Sequence, residues 1–500
     1  MSITESSRAS TLAISFQGVQ RSLGSFFIPP IGLILGQYDP AKTGTVDYTP
    51  VRVFSSDDVG SKFGFGSHAH RQAMKLPSAV FLQGGGIYIA PLPEAESAVV
   101  ADETVTFTGT ATSSGTLYFS IGGDLIQVGV TSGDAFGAVA TALATAITAE
   151  RDIAVTAIAS DGVVAVTAKF KGTAGNQILI KVNPSGSTQE NLNPAGITTT
   201  LENDDGYLDA GATDPSVELV FFDSSGNDIL GDRWYTAVTM PFTDQTNIDF
   251  HKASADARAD SVVNRIMGNH GAYTKETFTE ALALPASTNS EYISEIWENR
   301  NESPSFELSA NLVGIILDEQ NAAPNRPCKT VELDIEVDSD IANRRYDEND
   351  ALFRAGMSYC NISSSGVASL GDLALTYRTN SLGGSTEEWY DVQSLSTRQA
   401  KAYSMEQLFK RAPYDRAVVV DNFSPTAVEY AVAPKDIIAD ITKLIDELWV
   451  PFAWTKNRDE VVESITAGIN AGNNGRIDAS LIDDGAMALR IITANIKFLY

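Results

Sequence analysis

Residues Ile31-Gly-Leu-Ile-Leu-Gly-Gln-Tyr38 form a nearly continuous apolar run, introduced by Pro29-Pro30 and followed by turn residues. A run without polar alternation has no wet side, so it reads as a strand buried on both faces. It does not read as a membrane span. The apolar stretch from Phe26 to Gly36 is broken by the prolines and has about half of the ~20 residues a bilayer requires.

Further along, the composition changes sharply. From 96 to 205 the chain has no Trp, Cys, Met or His, and Thr, Ala, Val and Gly dominate. Strand-like runs at 104–108, 116–121, 125–130, 154–158, 163–169 and 177–182 flank one helix, predicted over 135–149. Its apolar stripe is Phe136, Val139, Leu143 and Ile147, with Ser132 or Asp134 as the expected cap. This window holds twelve acidic and four basic side chains, a net charge of −8, and reads as an inserted α+β domain with a solvated acidic surface.

On either side the pattern differs. Residues 75–90 hold an apolar segment interrupted by Gly84-Gly85-Gly86. Segments 217–222 and 234–240 are predicted as strands and 252–267 as a helix. Apolar stretches at 293–299 and 308–317 follow. Such alternation suggests a mixed or parallel α/β sheet. A helix is expected over 397–410, and another from Pro434 with Ile437, Ile438, Ile441, Leu444, Ile445 and Leu448 as its buried stripe. The last run, 489–500, alternates with period two and predicts a half-buried strand. Residues 1–25 are rich in Ser and Thr around a strand-like patch, Leu12 to Phe16, and read either as an arm or as a frayed terminus.

The 500 residues carry a net charge of −28, which opposes bulk affinity for nucleic acid and for anionic membrane surfaces. Two cysteines, Cys328 and Cys360, are too few for a disulfide framework and fit a reducing compartment. Met1 to Ser10 is polar, so no secretory signal is expected.

Catalysis by nucleophile or acid–base pair needs a poised base, and only His68, His70, His251 and His270 are present. His68-Ala-His70 could place two imidazoles side by side as a metal site does, but nothing nearby completes a ligand shell; the competing reading is a surface helix or loop start. Asp249-Phe-His251 is weaker still. Gly64-Phe-Gly66 superficially resembles a dinucleotide loop, yet polar residues precede it and the expected acid downstream is missing, so a turn before a helix is the reading. No catalytic, cofactor or metal site is predicted, and the chain reads as a structural or interaction protein.

Four segments in order then carry a resemblance. Ala323-Pro-Asn-Arg-Pro-Cys-Lys-Thr-Val-Glu-Leu333 resembles the Ala-Pro-x-Arg-Pro segment and following strand of contractile tail sheath proteins. Arg344-Arg345-Tyr346 through Leu352 is similar to the family's helix start, and Ala355-Gly356-Met357-Ser358 to its turn. Ala374-Leu375-Thr376-Tyr377-Arg378-Thr379 is similar to a Thr-Tyr-Arg-Thr strand end. Within the family the sheath of Mu-like tailed phages is most similar, through Phe63-Gly-Phe-Gly66-Ser, the window from Gly115 to Lys171-Gly-Thr-Ala-Gly-Asn176, and the end of the chain. The chain departs from that pattern at Gly18-Val19, where an Ile-Pro is expected.

The resemblance implies a multidomain α/β and α+β fold: a mixed-sheet sheath core, an inserted β-rich domain, and terminal strands for inter-subunit sheet augmentation. The expected divisions are an N-terminal arm (1–25), a core in two parts (26–95 and 206–375), an inserted outer domain (96–205) and a tube-proximal C-terminal domain (376–500). It implies a non-enzymatic subunit without cofactor, a homo-oligomer of hexameric rings in a helical polymer, partnered by a tail tube protein, baseplate and tail terminator. No direct nucleic-acid contact and no membrane insertion are expected, and the place is a virion tail assembled in the host cytoplasm. Ile14, Phe16, Ile492, Ile496 and Phe498 are the candidates for inter-subunit strands, the last three also being readable as a core strand of their own domain. Arg398, Lys401, Lys410 and Arg411 form a basic island in an acidic chain and are the candidates for tube contact, against the plainer reading of a solvated helix face. A cell-surface adhesin, suggested by the Thr/Val/Gly-rich insertion, and an acidic α/β hydrolase or dehydrogenase are the competing readings.

Overall fold

The computed structural model describes residues 26–42, 44–184, 193–338, 342–422 and 430–490. Strand β1 (Ile31–Gln37) is buried at all seven positions, as its unbroken apolar run demands. After the short β2 (Val51–Val53), Ser55 caps helix α1 (Ser56–Phe63) by accepting from the Asp58 amide. The helix ends at Gly64, whose φ of 100° only glycine adopts without strain. Ser67 then caps α2 (His68–Met74). The glycine segment is thus the expected turn into a helix. Strand β3 (Gly86–Leu92) returns parallel to β1, from Ile31 beside Gly86 to Gln37 beside Leu92.

Residues 100–201 build two further sheets. The strands are β4 (Val100–Gly109), β5 (Gly115–Ile121), β6 (Asp124–Val130), β7 (Val155–Ser160), β8 (Val163–Lys171), β9 (Ile180–Val182) and β10 (Ile197–Leu201), with helix α3 (Phe136–Ala149) between β6 and β7. An antiparallel sheet of order β10-β4-β8-β7 lies against a smaller one of order β6-β5-β9. Phe107 and Phe119 meet edge to face at 6.2 Å, one from each sheet. In α3 the buried residues are Val139, Ala140, Leu143, Ala144 and Ile147, at helical spacing. Phe136 departs from the expected stripe: it is 39% exposed and lies over Gly162 instead. The cap position belongs to Ala135, not to Ser132 or Asp134; Asp134 accepts from the Thr131 amide and closes the preceding turn.

Beyond β10, the predicted strand over 217–222 is one helical turn, α4 (Glu218–Phe221). Val217, Val220 and Phe221 are buried at spacings of three and one, so a helical period wins over the β-branched composition. Strand β11 (Ala237–Met240) follows. Helix α5 (Gln245–Ala259) starts earlier than the expected 252–267, because Asp244 caps it by accepting from the Asn247 amide. It also stops earlier, and Asn264 then takes a left-handed φ of 49° before β12 (Gly268–Tyr273). Next come α6 (Phe278–Thr288), opened by a Thr277/Glu280 capping box, β13 (Ile293–Trp297), the long buried α7 (Ser305–Ala322), α8 (Tyr346–Ala355), β14 (Met357–Ile362) and β15 (Ala368–Asp372). The eight-stranded sheet has the order β15-β14-β13-β12-β11-β1-β3-β2. Its interior pairs are parallel and its two edge pairs antiparallel, which makes it the mixed α/β sheet that the alternation suggested.

The remaining chain holds α9 (Val392–Phe409), a two-residue parallel pair β16 (Val418–Val419) and β17 (Ala431–Val432), α10 (Pro434–Leu444), α11 (Arg458–Ser464) and the hairpin β18 (Thr466–Asn470) and β19 (Asn473–Ser480). Asp391 caps α9, extending it five residues ahead of the expected 397. Proline stands at the start of α10, and Ile437, Ile441, Leu444, Ile445 and Leu448 are buried as predicted, with Ile438 half-buried. The predicted terminal strand over 489–500 falls almost wholly outside the described residues. So do the strand candidates Ile14, Phe16, Ile492, Ile496 and Phe498. Among the described residues, no helix is long and apolar enough to cross a membrane.

Candidate functional site

Open parallel sheets bind ligands beyond the carboxyl ends of their strands, where the strand order reverses. Here that point is β1, which lies between β3 on one side and β11 on the other. The space beyond its end is filled by the chain itself. Phe170 of β8, Phe242 and Phe306 surround the His68 imidazole, with centroids at 5.1, 5.4 and 4.3 Å. His68 Nδ1 accepts from the Gln37 amide (3.2 Å), and Gln37 Nε2 donates to the Lys171 carbonyl (2.9 Å). Burial pushes the His68 pKa down to about 3, so the ring is a neutral packing element. The crevice an α/β enzyme would use is occupied by side chains.

The other histidines are also built in. His70 Nδ1 accepts from the Gly66 amide at 3.0 Å and its ring meets Phe65, so the two imidazoles of His68-Ala-His70 have separate surroundings. Neither a metal pair nor a surface helix describes them: both are buried on α2. His251 meets Asn269 Oδ1 at 2.9 Å, and burial lowers its pKa to about 4. His270 is buried, with its pKa lowered to about 3 by burial. Among the described residues, no group of three or more His, Cys, Asp or Glu is placed to hold a metal ion. Cys328 and Cys360 are unbridged, and burial pushes the Cys328 thiol up to about 12 and Cys360 well above its ordinary value.

The segments that carry the resemblance are joints of the fold. Glu298, just after β13, receives Arg300 at 2.7 and 2.8 Å and Arg344 at 2.6 Å. Burial works against its charge, but the two guanidinium groups outweigh this and hold its carboxyl below the ordinary value. Arg344 also lies over the Trp297 ring at 4.8 Å, so the entry to α8 is pinned to the sheet. Gly356, at a φ of 97°, ends α8 with its amide donating to the Leu352 and Phe353 carbonyls. Arg378 donates to the Arg354 and Phe353 carbonyls at 3.0 and 3.1 Å and stacks on Tyr390. Asn325 donates to the Phe452 and Ala453 carbonyls, tying this region to the C-terminal part. Arg71, 2% exposed, sits between Glu307 (2.7 Å) and Asp124 (2.6 Å), and so joins α2, α7 and the start of β6.

Glu295 is the opposite case to Glu298. It is fully buried on β13, accepts from the Thr288 hydroxyl at 2.8 Å, and burial raises its pKa to about 7. Between the ordinary glutamate value and about 7, the folded protein holds a proton that the unfolded chain has released, so stability falls as pH rises through that window. The loss by pH 8 is roughly 3 kcal/mol. Glu295→Gln is therefore expected to match the parent near pH 4 and exceed it at pH 8. Urea midpoints at the two pH values check this, and an equal difference at both would refute it.

The four basic candidates separate. Lys401 turns inward: its side chain is 9% exposed, pairs with Asp483 at 2.6 Å, bonds Thr455 and lies over Trp449. Arg398 pairs with Glu291 at 2.9 Å and stacks on Trp389 at 4.1 Å. Both line a cleft of about 830 Å³ between α9 and residues 483–487. Lys410 stays 59% exposed, paired with Glu406, and Arg411 lies over Phe26. A continuous basic face does not form, because residues three apart on α9 find different acidic partners. The hairpin β18–β19 went unpredicted. Most of its residues are exposed on both faces, so its sequence lacks the apolar alternation that marks a half-buried strand, and only Ile469 and Ile477 hint at it.

No family model matches the chain. It is 24% identical over 363 residues to the Mu-like prophage FluMu tail sheath protein of Haemophilus influenzae (strain ATCC 51907 / DSM 11121 / KW20 / Rd), an alignment spanning 72% of each. Among solved structures, the sheath tail protein from Desulfitobacterium hafniense aligns with a TM-score of 0.46 at 10% identity, covering 95% of this chain and 100% of the other. The helical sheath of the anti-feeding prophage in its contracted state aligns with a TM-score of 0.47 at 12% identity, covering 98% and 99%.

Proposed function

We propose that the chain serves as its sequence relative is named, as the structural subunit of a contractile tail sheath of the Mu-like kind. The observation that carries this reading is the match over 363 residues, 72% of both chains. The subunits would stack as hexameric rings around a tail tube, with a baseplate and a terminator at the ends, and change packing on contraction. No bound fuel is required, because the work comes from the difference between two sets of inter-subunit contacts. In this reading residues 26–95 and 206–375 make the core, 96–205 project outward, and 376–500 face the tube, with assembly in the host cytoplasm before the tail is complete.

A sliding polymer needs links that survive the slide, and strand addition through backbone hydrogen bonds supplies them. The hairpin β18–β19 supports this as an acceptor. It is a two-stranded unit, largely wet, with an eight-residue strand at its edge. Such hairpins are marginal alone and gain from a third strand. The terminal segments around Ile14 and Phe16, and around Ile492, Ile496 and Phe498, are the proposed donors. For the tube, Lys410 and Arg411 are the better contacts, since both are exposed whereas Lys401 turns inward and Arg398 is largely covered.

Purified protein is expected to form wide hollow cylinders in negative stain. A chain lacking residues 1–20 is expected to keep the parent circular dichroism and remain monomeric in sedimentation. A full-length chain that stays monomeric at every concentration would overturn the sheath reading. Normal cylinders from the truncated chain would remove only the N-terminal donor.

A further inference from the structure

The four-stranded sheet β10-β4-β8-β7 ends on both sides in strands that lack the usual protection of an edge. β7 reads Val155-Thr-Ala-Ile-Ala-Ser160 and β10 reads Ile197-Thr-Thr-Thr-Leu201. Neither contains a charge or a proline, although one residue in five of the chain is charged. Neither contains a bulge: β7 pairs with β8 over six consecutive residues and β10 with β4 over five. Among the described residues, no further strand pairs with either outer edge. Soluble proteins ordinarily blunt such edges with lysine, proline or a bulge, because each is a template for another strand. Ile158 of β7 is 75% exposed.

We infer that these two edges are a paired interface, β7 of one copy adding to β10 of the next. The occupant is a second copy of this chain, for three reasons. The two edges match in length, five residues against six, and both are neutral on an insertion of net charge −8, so copies meet there without facing carboxylates. The sheet is antiparallel throughout with an even number of strands, so β10 and β7 run in opposite directions. A next copy placed beside β7 in the same orientation therefore presents β10 antiparallel to it, and the alternation continues. Finally, head-to-tail pairing covers both edges of every interior copy, whereas a two-fold β7–β7 contact leaves both β10 edges open. A heterologous contact of this kind builds rings or helices. The outer face so extended is neutral at Thr106, Val163, Ala165, Ile158 and Thr200.

This inference does not rest on the sheath reading, and its test is separate. Opposed residues on one face of an antiparallel pair lie within ~5–8 Å. In the pairing that sets Ile158 opposite Thr200, Ser160 faces Thr198. Full-length protein carrying Ile158→Cys with Thr200→Cys, or Ser160→Cys with Thr198→Cys, is treated at high concentration with a short bismaleimide. Denaturing gels are expected to show ladders of three or more copies for the double variants and none for the four single variants, which also report any background from Cys328 and Cys360. Circular dichroism checks that each variant is folded. Monomer bands only, from both folded double variants, overturn the interface. Dimers from the Ile158→Cys single variant matching those of its double variant overturn the head-to-tail form. A ladder without hollow cylinders would leave the pairing standing and the sheath reading refuted.

Discussion

Phe170→Ala is expected to destabilise the chain by about 3–5 kcal/mol, the range for truncating an aromatic side chain in a core. Phe170 is 2% exposed at the end of β8 and packs against Phe306 at 5.6 Å and His68 at 5.1 Å. Its ring closes the space beyond β1, and the surrounding backbone has little freedom to collapse. Gln37 bonds the adjacent Lys171 carbonyl, and Arg71 holds Asp124 and Glu307 nearby. Removing the ring therefore leaves a cavity rather than a repacked core. Water entering it would hydrate His68, whose pKa should rise from about 3 toward the ordinary imidazole value. Urea unfolding measures the first effect and histidine titration by NMR the second. A loss under about 1 kcal/mol with an unmoved His68 would mean that the end of β8 does not seal this crevice.

Glu298→Gln should cost a similar ~3–5 kcal/mol, for an electrostatic reason. The parent carboxylate neutralises two guanidinium groups, Arg300 at 2% and Arg344 at 8% side-chain exposure. An amide keeps the shape but leaves both cations in a poorly solvated place. Because the folded carboxyl is held below its ordinary value, its stabilisation is present at neutral pH and is lost as pH falls through that lowered value. The parent and the Glu298→Gln variant should thus converge under acid and part towards neutral pH with the parent ahead, whereas the Glu295 pair parts with the variant ahead. Guanidinium melts at pH 7 and pH 3 test the prediction, and a constant difference at both would falsify it. Arg344→Ala should be milder, since the Glu298–Arg300 pair survives, and its damage should centre on the α8 entry.

Local pattern carried far into this structure. The unbroken run from Ile31 to Leu35 required a strand covered on both faces, and β1 is one. The stripe from Ile437 to Leu448 and the glycine turn before His68 were legible for the same reason: period and backbone conformation are short-range properties. The misread elements are those where local rules compete. Residues 217–222 have strand-like composition but are buried at helical spacing. Helix α5 is set by its Asp244 cap, which a search for apolar periodicity passes over. The hairpin β18–β19 is largely exposed, with only Ala467 and Ile477 packed against the core, and so has little periodicity to read.

Legible along the chain, therefore, are the faces of each segment that must leave water, together with the motifs that resemble a sheath. What those faces meet is set by the packing of distant segments. That His68 faces three phenylalanines, that Lys401 turns into Asp483 while Lys410 stays in solvent, and that β7 and β10 finish a sheet with neutral edges all depend on segments distant in the chain. Burial is written in the spacing of apolar residues along one element, whereas a partner is fixed only when the register and order of other elements bring it alongside.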